Sequence, residues 1–160
     1  MPQVTADRLR LLRTTVCDLM GLYASRQGVL LPSLSAAEEI FGFVSPEAIE
    51  EVSSVTGVPT AEIRGVATFY AMYKTKPMGR HIIQLCTNVS CMIEGAYDLV
   101  AYLEEKYGLT PGGTTSDGRF SLIIMECIGA CGTAPAMILD TDSYDNLTKD
   151  RLDTVLENYK

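Results

Sequence analysis

Two close pairs of cysteines constrain this chain more than any other feature. Cys86-Thr-Asn-Val-Ser-Cys91 and Cys127-Ile-Gly-Ala-Cys131 stand thirty-five residues apart, so the fold must bring distant segments together if the pairs act as one. Four thiolates around one point make a metal site. The rest of the chain then reads as the scaffold that joins the pairs, or as the surface that presents the result to a partner. In a reducing compartment, paired cysteines are more often metal-binding or catalytic than structural disulfides. The fifth, Cys17, lies beside a helical apolar stripe and reads as a small half-buried side chain rather than a ligand.

The segment before the first pair is helical in pattern. Over residues 5–26, Leu9, Leu12, Val16, Leu19 and Tyr23 recur at helical spacing; Gly28 and Pro32 then break the rhythm. Ser35 with Glu38 three residues on predicts a capping box for a short helix stopped at Gly42. Ser45-Pro46 opens the next helix, which carries Ile49, Val52 and Val55 and ends at Gly57. Pro59 and Thr60 open a fourth, with Ile63, Val66, Ala67 and Tyr70 on one side. These short helices predict a small bundle over residues 1–76. They are not a DNA reader: 20 acidic against 13 basic residues, net −7, argue against nucleic acid and anionic membrane surfaces, which favour basic patches.

A polar link, Lys74-Thr-Lys-Pro-Met-Gly-Arg80, leads into the second part, residues 77–160. Residues 81–85 read as a strand ending at Cys86; His81, the only histidine, sits at its start and reads as a surface residue. Ser90 is placed to cap a helix from Cys91 onward, with Ile93, Ala96, Val100, Leu103 and Tyr107 on one face up to Gly108. Such a helix puts its N-terminal dipole on the Cys91 sulfur. Pro111-Gly-Gly and Ser116-Asp-Gly118 read as turns, and residues 119–125 as a strand delivering Glu126 and Cys127. Gly129 and Gly132 flank Cys131 and let the backbone aim N–H groups at sulfur. After Ala134-Pro135 comes a third apolar strand, and Thr148 caps a last helix with Leu152, Val155, Leu156 and Tyr159. Strand, helix, strand, strand, helix is the order of a thioredoxin-type half. Pro135 precedes a strand, where that fold often keeps a cis proline, and both isomers stay open.

Three chemistries compete for the thiols. Structural zinc uses pairs two to four residues apart and often forms a small domain's whole core, whereas this half has strands and helices enough to fold without a metal staple. A thiol-disulfide oxidoreductase wants Cys-x-x-Cys at its helix start, and Cys86 to Cys91 is wider. A wide first pair, a glycine-lined second pair and a dipole aimed at sulfur suit a 2Fe-2S cluster, whose irons each take two thiolates.

The runs Gly65-Val-Ala-Thr-Phe-Tyr70, Gly112-Gly-Thr-Thr-Ser-Asp-Gly-Arg-Phe120 and Glu126-Cys-Ile-Gly-Ala-Cys-Gly132 resemble the thioredoxin-like 2Fe-2S subunit of NADH-quinone oxidoreductase, the E subunit of respiratory complex I. The resemblance covers nearly the whole chain. It implies an α/β (α+β) chain, a helical bundle followed by a thioredoxin-like ferredoxin domain, with Cys86, Cys91, Cys127 and Cys131 holding one 2Fe-2S cluster. It implies an electron carrier with no bond chemistry of its own, exchanging one electron with FMN on a larger partner that also binds NADH; no dinucleotide fingerprint stands in this chain. Relatives serve NAD-linked hydrogenases and formate dehydrogenases with the same ligand set, and a zinc-stabilised, redox-silent assembly module is the alternative of another class. The expected location is cytoplasmic, peripheral to the inner face of the cell membrane: the first seven residues lack a signal peptide's pattern, and no apolar run spans a bilayer.

Two finer expectations remain. Phe69, Tyr70, Met72 and Tyr73 form an aromatic row that either contacts the flavin partner or covers a seam between the chain's own halves. Glu94 and Glu126 either lower the cluster potential by opposing added negative charge or are simply solvated, the plainer reading.

Overall fold

The structure, a computed structural model, describes residues 4–159. The chain divides into two compact units, Met1–Pro77 and Met78–Lys160.

The first unit holds α1 (Ala6–Met20), α2 (Leu30–Phe41), α3 (Pro46–Thr56) and α4 (Thr60–Phe69). Thr5 caps α1 by accepting the Arg8 N–H. Leu12 and Val16 are fully buried, with Leu9 and Leu19 against the same core. The helix ends before the sequence pattern does: Gly21 turns its N–H back onto the Asp18 and Leu19 carbonyls, which leaves Tyr23 exposed. Cys17 is exposed rather than half-buried, because one residue is a 100° step round from Val16. The second helix starts six residues earlier than its capping-box pattern suggests. Pro32 lies in its first turn, where a missing N–H breaks no intrahelical bond, and Ser35 is interior, its Oγ 3.3 Å from the Tyr73 hydroxyl. Gly42 ends α2 in the left-handed region, its N–H on the Glu38 carbonyl. Ser45 caps α3 through the Ala48 N–H with Pro46 at the first position. Tyr73, expected in an exposed row, is turned inward. It is 6% exposed and donates to the Leu31 carbonyl at 2.9 Å, while Phe69, Tyr70 and Met72 stay exposed.

The second unit is a four-stranded sheet with helices. Its elements are β1 (His81–Cys86), α5 (Val89–Ile93), α6 (Ala96–Tyr107), β2 (Phe120–Met125), β3 (Met137–Leu139), β4 (Asp142–Tyr144) and α7 (Lys149–Glu157). The order is β2-β1-β3-β4: β1 and β2 are parallel, and β1 with β3 and β3 with β4 are antiparallel. Parallel neighbours need a crossover, and α5 and α6 lie within it. Here the structure corrects the expected single helix capped by Ser90. Asn88 caps α5 by accepting the Val89 N–H at 2.7 Å, and Gly95, at φ +91°, separates it from α6; the break falls there because that backbone turn suits only glycine at no steric cost. The unpredicted β4 follows a two-residue turn through Asp140 at φ +56°. Tyr159 lies past the end of α7, and its hydroxyl donates to the Asp142 carboxylate. Arg119 hydrogen-bonds the Leu156 and Tyr159 carbonyls, closing that helix end. Ile83, Leu85, Leu99, Leu103, Phe120 and Leu122 form the centre of the core. The Ala134-Pro135 bond is cis.

Candidate cluster site

The strand register explains why the two thiol pairs meet. In the parallel β1–β2 pair Cys86 lies opposite Met125, so both strands end at the same edge of the sheet, where ligands gather in sheets of this kind. The Thr87 N–H bonds the Met125 carbonyl, and the Cys86 N–H bonds the Ala136 carbonyl. The edge of β1 is thus tied to both segments that bracket the second pair.

The pairs sit in different surroundings. Cys86 and Cys91 are 3% and 2% exposed and pack with Ala96, against Ile128 and Ala134. The Cys86 thiol donates to the Glu126 carbonyl at 3.6 Å. Burial pushes the Cys91 thiol up from its ordinary pKa; its hydrogen bond with the Cys86 thiol acts in the same direction, a backbone hydrogen bond at Ala136 opposes it, and the nearby Cys131 adds to the rise. Cys127 and Cys131 are exposed. Gly129, at φ +82°, lets the loop curl so that its N–H meets the Cys127 sulfur at 3.4 Å. Gly132, expected to do the same for Cys131, has a conformation open to any residue, and a Cβ there would meet nothing within 4 Å. Cys91 stands in the first turn of α5, as its expected dipole role requires, but a five-residue helix offers only a small dipole.

Among the described residues, no three His, Cys, Asp or Glu side chains converge on a single metal ion. The first pair, Cys86 and Cys91, is buried and the second, Cys127 and Cys131, is exposed; a two-iron cluster would call on four thiolates, two for each iron, and an all-thiol donor set suits iron–sulfur chemistry. His81 belongs to neither pair: its Nδ1 lies 2.7 Å from the Asp140 carboxylate at the far end of β1. Cys17 is on α1 of the other unit. Glu94 and Glu126 are both exposed, in keeping with the solvated reading. Sequence reasoning missed Asn88, whose signal was an Asx residue directly before the helix, and Ala136, which touches the site only through its backbone.

A thioredoxin-like sheet with two thiol pairs near one edge fits an iron–sulfur protein better than a dithiol oxidoreductase, which wants Cys-x-x-Cys at its helix start. The profile of the thioredoxin-like [2Fe-2S] ferredoxin family matches residues 14–160. The second E subunit of NADH-quinone oxidoreductase from Rhizobium meliloti is 40% identical over 138 residues, 86% of this chain and 82% of its own. The E subunit of the Escherichia coli K12 oxidoreductase is 37% identical over 141 residues, covering 88% and 85%, and subunit 2 of the Thermus thermophilus oxidoreductase is 37% identical over 132, covering 82% and 73%. Among solved structures, an air-oxidized NAD+-reducing [NiFe]-hydrogenase superposes with a TM-score of 0.65 at 25% identity over 79% of this chain, which spans 22% of that longer chain. The chain belongs to the thioredoxin-like [2Fe-2S] ferredoxin family, together with the E subunits of NADH-quinone oxidoreductase, and its cofactor is a 2Fe-2S cluster. No helix among the described residues is long and apolar enough to cross a membrane.

Proposed function

We propose that Cys86, Cys91, Cys127 and Cys131 hold the cluster and that the chain passes single electrons within the NADH-oxidising module of NADH-quinone oxidoreductase. The observation that carries this reading is the shared edge of β1 and β2, where an inner and an outer thiol pair stand together in a family named for its 2Fe-2S cluster. When bound, the cluster supplies a reversible one-electron couple. The protein's own residues do the rest. Ala96, Ile128 and Ala134 keep water from the inner thiols, and Gly129 offers an N–H to the outer pair. The Cys86 proton now given to the Glu126 carbonyl leaves when that sulfur becomes a ligand. Burial and N–H bonds to sulfur are the means by which such a site sets its potential.

The electron partner in this reading is a larger FMN- and NADH-binding subunit, with the assembly on the cytoplasmic face of the membrane. The bundle over residues 1–76 supplies contacts, and the 77–160 part houses the cluster. A second reading, the equivalent diaphorase part of an NAD-linked hydrogenase or formate dehydrogenase, draws support from the likeness to the hydrogenase chain. Iron and acid-labile sulfide analysis of the purified chain and its single Cys→Ser variants tests the ligand assignment. The expected yield is about two irons and two sulfides per chain, with a marked loss in each of the four variants and none in Cys17→Ser. Full occupancy in any of the four would remove that residue from the set. Co-purification with the flavin subunit, against co-purification with a hydrogenase subunit, separates the two assemblies.

A further inference from the structure

The helical unit carries a small cleft that its own side chains do not fill. Pro46 and Ile49 at the start of α3, Arg64 and Thr68 on α4, and Val44 and Thr75 line a space of about 250 Å³. All six residues belong to the first unit. Val44 and Ile49 are buried and give the cleft an apolar floor. The Val44 N–H bonds the Lys74 carbonyl at 2.7 Å, which fixes Thr75 beside the start of α3.

The polar groups around that floor are not equivalent. The Thr68 hydroxyl donates to the Arg64 carbonyl at 2.9 Å, so its proton is committed to its own helix. Lys74, next to Thr75, is paired with Glu38 at 2.8 Å, and elsewhere in the unit Arg10 is paired with Asp7 and Arg13 with Glu51. Arg64 is exposed, and among the described residues no carboxylate pairs with its guanidinium; the Thr75 hydroxyl has no hydrogen bond there either. In a chain of net −7 acidic side chains are plentiful, yet none is folded onto this cation. A guanidinium matches a carboxylate through two parallel N–H bonds, so the cleft is complementary to an acid supplied from outside. Pockets for drug-sized ligands span about 300–1,000 Å³, and this smaller one suits a single side chain. Directly after Thr68, Phe69 stands 81% exposed, an apolar surface that a protein would cover and a small acid would not.

We infer that the cleft receives a glutamate side chain of a partner protein. Its carboxylate accepts from the Arg64 guanidinium and the Thr75 hydroxyl, its methylenes lie on Val44 and Ile49, and apolar surface around it covers Phe69. This rests on the reading that the chain works inside a multi-subunit oxidoreductase, and it names one point of contact there.

The test compares the full-length chain alone with the assembled oxidoreductase, isolated through a tag on its flavin subunit. Both are treated with phenylglyoxal, which modifies accessible guanidinium groups, and Arg64 is read by mass spectrometry. In the assembly Arg64 should react about tenfold more slowly or less, as a bonded and covered guanidinium does. Retention of the chain after a high-salt wash should fall about threefold or more in Arg64→Gln and by about as much again in Arg64→Glu, which repels a carboxylate, while Arg64→Lys stays near wild type. Arg64 is exposed, so unchanged urea midpoints show that the variants fold. An Arg64 that reacts equally fast in both samples, or an Arg64→Glu chain retained as well as wild type, overturns the inference. Equal losses in Arg64→Gln and Arg64→Glu also overturn it, because the neighbour is then not an acid. So does protection of Arg64 in the chain alone by 4-methylpentanoate with none in the assembly, since the occupant is then a small free acid. Should the wild-type chain fail to co-purify with the flavin subunit, the functional reading itself fails; should it co-purify with Arg64 still reactive, only this inference does.

Discussion

Tyr73 separates interior from exposed surface in the aromatic run at the end of the helical unit. Its ring is buried, and its hydroxyl donates to the Leu31 carbonyl at 2.9 Å and lies 3.3 Å from the Ser35 Oγ. Tyr73→Phe keeps the ring and loses the hydroxyl, a cost of about 1 kcal/mol for a net hydrogen bond. Tyr73→Ala also empties the ring's volume from a core that includes Phe41 and Leu34, and such truncations cost about 3–5 kcal/mol. Phe69, 81% exposed, should behave oppositely: Phe69→Ala changes stability by less than about 0.5 kcal/mol. Urea unfolding of the full chain followed by far-UV circular dichroism reads all three. With a slope of about 1–3 kcal/mol per molar urea, Tyr73→Ala should move the first unit's midpoint down by more than about 1 M. A Tyr73→Ala midpoint equal to wild type, or a Phe69→Ala midpoint as low as that of Tyr73→Ala, would refute the inward placement.

Asp153 joins α6 to α7 by accepting from Lys106, from the Tyr102 hydroxyl at 2.6 Å and from the Tyr107 hydroxyl at 2.7 Å. The Lys106 bond foremost, then Tyr102 and Tyr107, holds its carboxyl down to about 2 from the ordinary 3.8. The charged form is therefore favoured by folding: its stabilisation is complete above the unfolded value of about 3.8 and is lost as pH falls from there through about 2. Asp153→Asn, compared with wild type after cluster removal from both, should unfold more easily at pH 7 by about 1–2 kcal/mol, the half-exposed lysine adding little, and the gap should shrink by pH 3. Gly129→Ala forces a side chain into φ +82°, a strain of about 1 kcal/mol or more, and should lower cluster yield, read by iron analysis, without changing the helical signal. Ser33 is fully buried with its hydroxyl unpartnered, so Ser33→Ala should leave the urea midpoint unchanged or raise it by up to about 1 kcal/mol in stability.

What the sequence made legible was local chemistry. Ser45-Pro46 and Thr148 carry their capping oxygen in their own side chains, and Gly42 and Gly57 end helices in the left-handed region. Those signals need no tertiary context. The misses are places where context decided. The second helix begins at Leu30 without a side-chain cap, held by burial of Leu30 and Leu34, and Pro32 reads equally well as a breaker or a first-turn residue. The apolar rhythm from Ile93 to Tyr107 runs unbroken across Gly95, so periodicity could not register the turn there. β4 is short and exposed and shows no alternation; its faint signal was Asp140, a residue type that tolerates positive φ. The thiol positions were plain in the sequence, but the contrast between a buried inner pair and an exposed outer pair depends on which face of the sheet edge α5 covers. The 2Fe-2S assignment came from the motif resemblance more than from spacing, which left zinc standing.

Absorption and EPR spectra of the chain purified without oxygen, before and after dithionite, test the central claim most directly. The account predicts a brown protein that bleaches on reduction and gives a rhombic S = 1/2 signal, absent from Cys127→Ser. A colourless protein with about one zinc per chain, prepared with iron in excess, would contradict it and leave the chain a structural module.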